Sequence, residues 1–160
     1  MPIRKAQIGE DEAIHSAHMR SIREVCIHDH GEEEIKGWGY RECGSRWTQA
    51  IQNGLVWVVE HEGQIEGVGN IQIQGEKAYV HSLYLTPAVI GQGYGRELMQ
   101  ILLDEARGSG VQKIELESSL TAHQFYLNVG FVDRGPRTQV VVGGYPVSCI
   151  PMVYWFFKED

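Results

Sequence analysis

The chain has 160 residues, 42% hydrophobic and 22% charged, with nineteen glycines and five prolines; this is the composition of one globular domain and excludes a fibre, a repeat array or a disordered tail. At this length folding buries roughly 70% of the surface the unfolded chain exposes, so one core suffices without disulfides or a structural metal. Fourteen basic residues against twenty-one acidic ones leave a net charge of −7, which repels phosphate polymers, so no nucleic-acid partner is expected and any anionic ligand has to be held locally.

Cys26, Cys43 and Cys149 are odd in number and widely spaced, against a secreted disulfide framework and against paired CxxC zinc ligands, so a reducing, cytoplasmic setting is expected. The first residues, MPIRKAQIGEDEAIH, carry charge from Arg4 onward. They lack the apolar stretch of a secretory signal, and no later run approaches the roughly eighteen apolar residues of a membrane span, so no membrane partner is expected.

Ile3, Ala6 and Ile8 predict a short opening strand. Glu10, Asp11 and Glu12 then suit the positive end of a helix dipole. Ile14, Ala17, Ile22, Val25 and Cys26 recur at helical spacing, with Gly31 where a left-handed C-cap would fall. Residues 32–52 predict a second helical segment with Trp38, Tyr40 and Trp47 on its inner side. From Leu55 the pattern turns to β-branched and aromatic alternation, LVWVVEHEG, QIEGVGNIQIQ and KAYVHSLYL, predicting a three-stranded antiparallel meander. Leu98, Met99, Ile101, Leu102 and Ala106 predict a helix ending at Gly108; VQKIELE is a strand and TAHQFYLNVG a short helix. The remainder reads as a final hairpin turning at Gly143 and Gly144. The order implies an α/β fold of α+β type in a single domain, its mixed sheet holding one right-handed βαβ crossover over residues 79–117.

That crossover carries the strongest chemical signal. Gly91, Gln92, Gly93, Tyr94, Gly95 and Arg96 lie between a strand and a helix. Alternate glycines keep Cβ atoms away from the main chain, and the helix start offers unpaired N–H groups and a positive dipole end, which together can cradle a diphosphate. A tight turn needing glycine for its backbone angles alone is the plainer alternative. A dinucleotide fingerprint would need a sixth-position glycine where Arg96 stands, and a P-loop would need GK followed by Ser or Thr.

LYLTPAVIGQGYGRELM resembles motif A of the GCN5-related N-acetyltransferases, with Gly93 and Gly95 in place and Ile90 where the family usually carries Gln or Arg. SLTAHQFYLNVGF is similar to the family's motif B through Ala122, Phe125, Tyr126, Gly130 and Phe131, with Ser119 where many members carry Asn. The resemblance implies the family's fold, a mixed sheet flanked by helices whose central strands splay. It implies acetyl-CoA as cosubstrate, its diphosphate on the amides of residues 92–96 and its pantetheine arm along Leu83, Tyr84 and Leu85, beside Ile90 and Phe125. It implies direct transfer of acetyl to a small-molecule or peptide amine. Tyr126 matches the family's acid for the departing thiolate, His81 is the first choice of base, and Glu117 is a second acting through water.

Other groups point less clearly. His28, Asp29 and His30 with the acidic run Glu32 to Glu34 could suggest a metal, but neighbouring side chains diverge, and a solvated loop after a helix with no metal is expected. Cys26 and Cys149 read as small core residues. Trp38, Tyr40 and Trp47 are candidates for a wall of the acceptor pocket or for core packing. The net charge would suit a cationic amine such as a polyamine, an aminoglycoside or a lysine side chain. The last strands could pair across a homodimer. A non-catalytic acyl-CoA sensor and a dinucleotide-binding oxidoreductase are the alternative functions.

Overall fold

A computed structural model describes residues 2–157. In chain order the elements are β1 (Ile3–Lys5), α1 (Asp11–Glu24), a 3₁₀ turn (Cys26–His28), α2 (Glu32–Trp38), α3 (Arg46–Gln52), β2 (Val56–His61), β3 (Gln64–Gln74) and β4 (Lys77–Leu85). They continue with α4 (Tyr94–Gly108), β5 (Lys113–Ser118), α5 (His123–Val129), β6 (Val132–Asp133), β7 (Thr138–Val142) and β8 (Tyr145–Trp155). The sheet runs β1-β2-β3-β4-β5-β8-β6, with β7 paired to β8. Every pairing is antiparallel except β4 with β5. The mixed, splayed α/β architecture expected from the sequence is therefore present.

Helices cover both faces. Leu98, Met99, Leu102 and Ala106 of α4 pack with Ile71, Ala78, Val80 and Ile114 of the strands, and Tyr126 and Phe131 join that cluster. Ile14 and Ala17 of α1 pack with Trp47, Val56, Val58 and Val68 on the other face. Because β3 has cover on both sides, its residues are buried continuously from Ile65 through Ile71 instead of alternating. The two charged or amide groups in that run are satisfied: Glu66 by Arg20 at 3.0 Å and by the Thr86 hydroxyl, and Asn70 by donating to the Leu55 carbonyl at 3.3 Å.

Three boundaries differ from the sequence reading. The first helix stops at Glu24, not at Gly31; the tighter 3₁₀ turn that follows buries Cys26, whose carbonyl accepts from the amides of Asp29 and His30. The second helical segment is two helices, because the chain stops at Gly39 and turns through Gly44 at φ +60° before α3 starts. The final stretch holds three strands. Gly143 and Gly144 do turn the β7–β8 hairpin, but β8 is long enough to pair β7 along its first half and β5 along its second, with β6 attached near its end.

Two irregularities position the site. Along β3 and β4, Ile71 faces Val80 while Asn70 faces Ser82, so His81 is an extra residue in β4. A bulge of this kind reverses which face the following side chains take. Ala78 and Val80 pack on the α4 side before it and Leu83 and Leu85 after it, while Tyr84 packs against the α1 side. Secondly, β4 and β5 pair only as far as Val80 and Leu116. Beyond that point they part, leaving a gap lined by the end of each strand.

Candidate active site

Two clefts meet at this gap. The first, about 380 Å³, brings together Leu83, Tyr84, Leu85, Ile90, Gly91, Gly93, Gly95, Arg96 and Phe125 along its wall. Gln92 and Tyr94 are not part of its wall: the Gln92 side chain donates to the Ala88 carbonyl at 3.1 Å, and the Tyr94 ring packs on the core. Ser119 and Ala122 also line it, together with Ser21, Val25, Cys26 and Thr121, which sequence reasoning did not assign there. The only sequence trace of Ser21 is a hydroxyl set beside the apolar stripe of α1, a place where a polar group needs a partner.

The glycine turn works through its backbone. Gly91 and Gly93 have φ of +80° and +91°, which side-chain-bearing residues rarely adopt, whereas a Cβ at either would meet nothing within 4 Å. Their role is thus the backbone angle, and the room they leave is secondary. Gly95 has an ordinary φ, and a Cβ there would make ordinary contacts, 3.4 Å to the Phe125 ring and 3.6 Å to Leu85. Among the described residues no amide from 91–96 has a main-chain acceptor; the first that does is Glu97, bonded to the Gly93 carbonyl at 3.2 Å. A row of open N–H donors at the start of a fifteen-residue helix can hold an anion. Arg96 adds a cation to the wall of the same cleft.

Along β4, the Thr86 amide bonds the Glu66 carbonyl on β3 at 2.9 Å. Main-chain groups alternate sides along a strand, so those of Leu83 and Leu85 turn towards the gap and those of Tyr84 towards Val68 of β3. The Leu85 carbonyl is already used, accepting from the Ser21 hydroxyl at 2.7 Å. Leu83 offers both its groups to the gap and Leu85 its N–H.

The gap itself holds a small cavity of about 20 Å³ lined by His81, Ser82, Leu83, Tyr84, Glu117, Ser119, Ala122 and Tyr126. All three catalytic candidates from the sequence are therefore brought together. Tyr126 is 5% exposed, set edge-on to Phe125 and Phe131, and burial pushes its phenol well above the ordinary tyrosine range. His81 Nε2 lies 2.6 Å from Gln72 Oε1, an acceptor, which places the ring hydrogen on Nε2 and the basic lone pair on Nδ1. His81 stands at the exposed side of β4, where desolvation by its neighbours and then the charge of Arg46 lower its pKa from the usual 6.5, favouring the neutral ring near pH 7. The Glu117 carboxylate is held by Arg134 at 2.6 Å. Ser119 Oγ accepts from the Ala122 amide at 3.1 Å, in the turn that leads into α5.

The second cleft, about 300 Å³, is lined by His18, Trp38, Arg41, Arg46, Tyr79, His81, Tyr84, Glu117, Ser119 and Ser148, with Cys149 and valines of β7 and β8. Of the three aromatic candidates only Trp38 reaches it. Trp47 is buried beneath, and Tyr40 is 66% exposed with the Arg23 guanidinium 5.1 Å from its ring. His18, Arg41 and Arg46 were missed: they come from a helix face, a loop and a helix start, and no local pattern links them.

The stretch around His30 is not the solvated loop expected. His30 is 3% exposed; its Nδ1 pairs with Glu34 at 2.7 Å and its Nε2 accepts from the Leu120 amide at 3.0 Å. Glu34 also accepts from the amide and hydroxyl of Ser148, and these bonds, together with its histidine partner, hold its carboxyl below the usual range against the opposing effect of burial. The network fixes α2 to β8 and to the loop before α5, both of which edge the gap. Cys26 and Cys149 are buried, as expected of small core residues, although each also touches a cleft. Burial pushes the Cys26 thiol up to about 11 and raises that of Cys149.

Residues 26–152 match the family described as the acetyltransferase (GNAT) domain. A curated relative from Azospirillum brasilense, named IAA acetyltransferase, is 34% identical over 84 residues, 49% of this chain and 55% of that protein. The chain matches about half the length of the curated relatives. Among solved structures, a GCN5-related N-acetyltransferase (aminotransferase, class-II) from Rhodopseudomonas palustris superposes with a TM-score of 0.83 at 19% identity, over 96% of this chain and 94% of that one. The PaiA N-acetyltransferase of Thermoplasma acidophilum, solved with coenzyme A, gives 0.74 at 18% identity over 96% and 98%. Similarity at this level of identity establishes the fold.

Proposed function

The chain belongs to the acetyltransferase (GNAT) family, and from that premise we propose that it passes the acetyl group of acetyl-CoA directly to a primary amine while both are bound. The observation that carries this reading is the parting of β4 from β5, with one cleft of open backbone amides and another of polar side chains meeting at a cavity that holds Tyr126, His81 and Glu117. The open amides of residues 92–96 and Arg96 take the diphosphate, and the free main-chain groups of Leu83 and Leu85 pair with the amides of the pantetheine arm, as an added strand would.

The thioester then lies in the gap. A main-chain N–H of β4 polarises its carbonyl, where negative charge grows during attack. His81, neutral at pH 7, takes a proton from the incoming ammonium. The amine lone pair attacks the carbonyl carbon, the C–N bond forms and the C–S bond breaks. Tyr126 gives its proton to the departing thiolate and regains one from the nitrogen or solvent, so the net products are an acetamide, coenzyme A and one proton. Glu117, held by Arg134, acts only through water. Burial raises the thiols of both cysteines at the clefts, which disfavours the thiolate that a covalent acetyl-cysteine route would need.

Thiol release from acetyl-CoA, followed across a panel of primary amines, tests the reading. Amine-dependent release is expected. Coenzyme A binding with no release for any amine would leave an acyl-CoA sensor, and absence of coenzyme A binding would remove both.

A further inference from the structure

Resting on the acetyl-transfer reading, we propose that the acceptor is an amino acid, a primary amine whose free carboxylate is bound by Arg41 and Arg46. Both arginines line the second cleft, and among the described residues neither has a carboxylate within 4 Å. Arg41 spends one donor, Nε to the Trp38 carbonyl at 3.0 Å. Arg46 spends one, Nη2 to His18 Nδ1 at 3.0 Å, and its guanidinium lies 4.8 Å from the Trp47 ring centre. A guanidinium has five donors, so most of the fork on each remains open.

The surroundings supply no countercharge. His18 accepts from Arg46 and burial keeps its ring neutral. The Ser148 hydroxyl is turned to Glu34, and Glu117 is paired with Arg134. Burial lowers both arginines, Arg41 to about 10, and the charge of Arg46 adds to the effect on Arg41. Arg41 is half-buried without an anion and Arg46 stands more open beside it at the same cleft, and a planar carboxylate is the group that a guanidinium fork fits.

The cleft is also polarised along its length. His81 and Glu117 line both it and the cavity at the gap, whereas Arg41 and Arg46 line only the cleft. An amino acid placed with its ammonium at His81, and at Glu117 through water, and its carboxylate at the arginines satisfies both ends and presents its nitrogen to the thioester. About 300 Å³ lies at the small end of ligand sites. The local charge is thus opposite to what the net charge of −7 suggested.

The test is acetyl-CoA-dependent thiol release by the full chain with the twenty standard amino acids, their α-carboxamides, putrescine and spermidine. It runs alongside calorimetric binding of the same compounds to the coenzyme A-loaded protein. At least one amino acid is expected to bind and to react with kcat/KM about tenfold or more above its own carboxamide. Arg41→Gln and Arg46→Gln should each raise KM for it about tenfold, change kcat far less, and bring the acid-to-amide ratio towards one. Coenzyme A affinity should hold, which reports an intact fold, and Arg46→Lys should restore part of the loss. Carboxamides or polyamines serving as well as the acids, or a ratio untouched by the glutamine variants, would overturn the proposal, as would no binding by any amino acid. An amino acid that binds through the arginines without being acetylated would keep the carboxylate site and remove the acetyl-transfer reading.

Discussion

The two clefts that meet at the β4–β5 gap are made of different material. The larger sets main-chain donors, the open amides at the start of α4 and the edge groups of Leu83 and Leu85, against an apolar wall that includes Val25, Ile90 and Phe125. The smaller is mostly side chain, gathered from α1, the loop before α3, β4, β5 and the β7–β8 hairpin. A site built from backbone depends on where the chain bends and tolerates almost any neighbouring residue. A site built from side chains depends on each one, so it is where relatives of one fold can differ in acceptor.

Replacing Tyr126 by Phe should have the largest effect, because it removes the proton donor and little else. Turnover is expected to fall about a hundredfold or more while coenzyme A affinity measured by calorimetry stays within error. Gly93→Val attacks the other side: a β-branched residue at φ +91° forces the turn to rearrange, and coenzyme A should bind about tenfold or more weakly, a loss of about 1–2 kcal/mol. Equal affinity would mean the amide row does not hold the diphosphate.

His81 gives the comparison a pH signature. Its pKa is lowered, so the neutral base is complete at pH 7 and lost only as pH falls through a value below 6.5. Corrected for the acceptor's own ionisation, kcat/KM should drop about tenfold per pH unit on that acid limb and show no alkaline limb below about pH 10, since Tyr126 is raised. In His81→Gln the acid limb should vanish; its persistence would shift the base to another group.

Glu34→Ala tests the support of the side-chain cleft. It leaves His30 and the Ser148 amide without their acceptor, and a loss of about 2 kcal/mol in denaturant unfolding is expected, with coenzyme A affinity little altered. The smallest effect is a gain. Ile90 is 46% exposed at the rim of the backbone cleft, and Ile90→Arg should tighten coenzyme A by about two- to fivefold, the value of one exposed ion pair.

The same contrast governs what could be read from the residues alone. Alternation made the β2–β4 meander visible, and glycines between a strand and a helix marked the backbone cleft, because backbone demands leave a local trace. The bulge at His81 left none: YVHSLYL is strand-forming throughout, and only the register with β3 reveals the extra residue. The end of α1 was misplaced because Gly31 offered a plausible cap, whereas the chain leaves the helix after Glu24 and tightens into a 3₁₀ turn at Cys26. His30 and Glu34 looked like surface residues in an acidic run, yet partners from Leu120 and Ser148 draw them in. Arg41 and Arg46 could not be told from solvated loop residues, since which way a loop arginine faces is decided by elements distant in the chain.

A structure with acetyl-CoA bound tests the central claim most directly. The account predicts diphosphate oxygens within about 2.7–3.2 Å of main-chain N–H groups of residues 92–96, and the thioester in the gap between β4 and β5 beside Tyr126. A diphosphate seated away from that turn, or a thioester outside the gap, would contradict it.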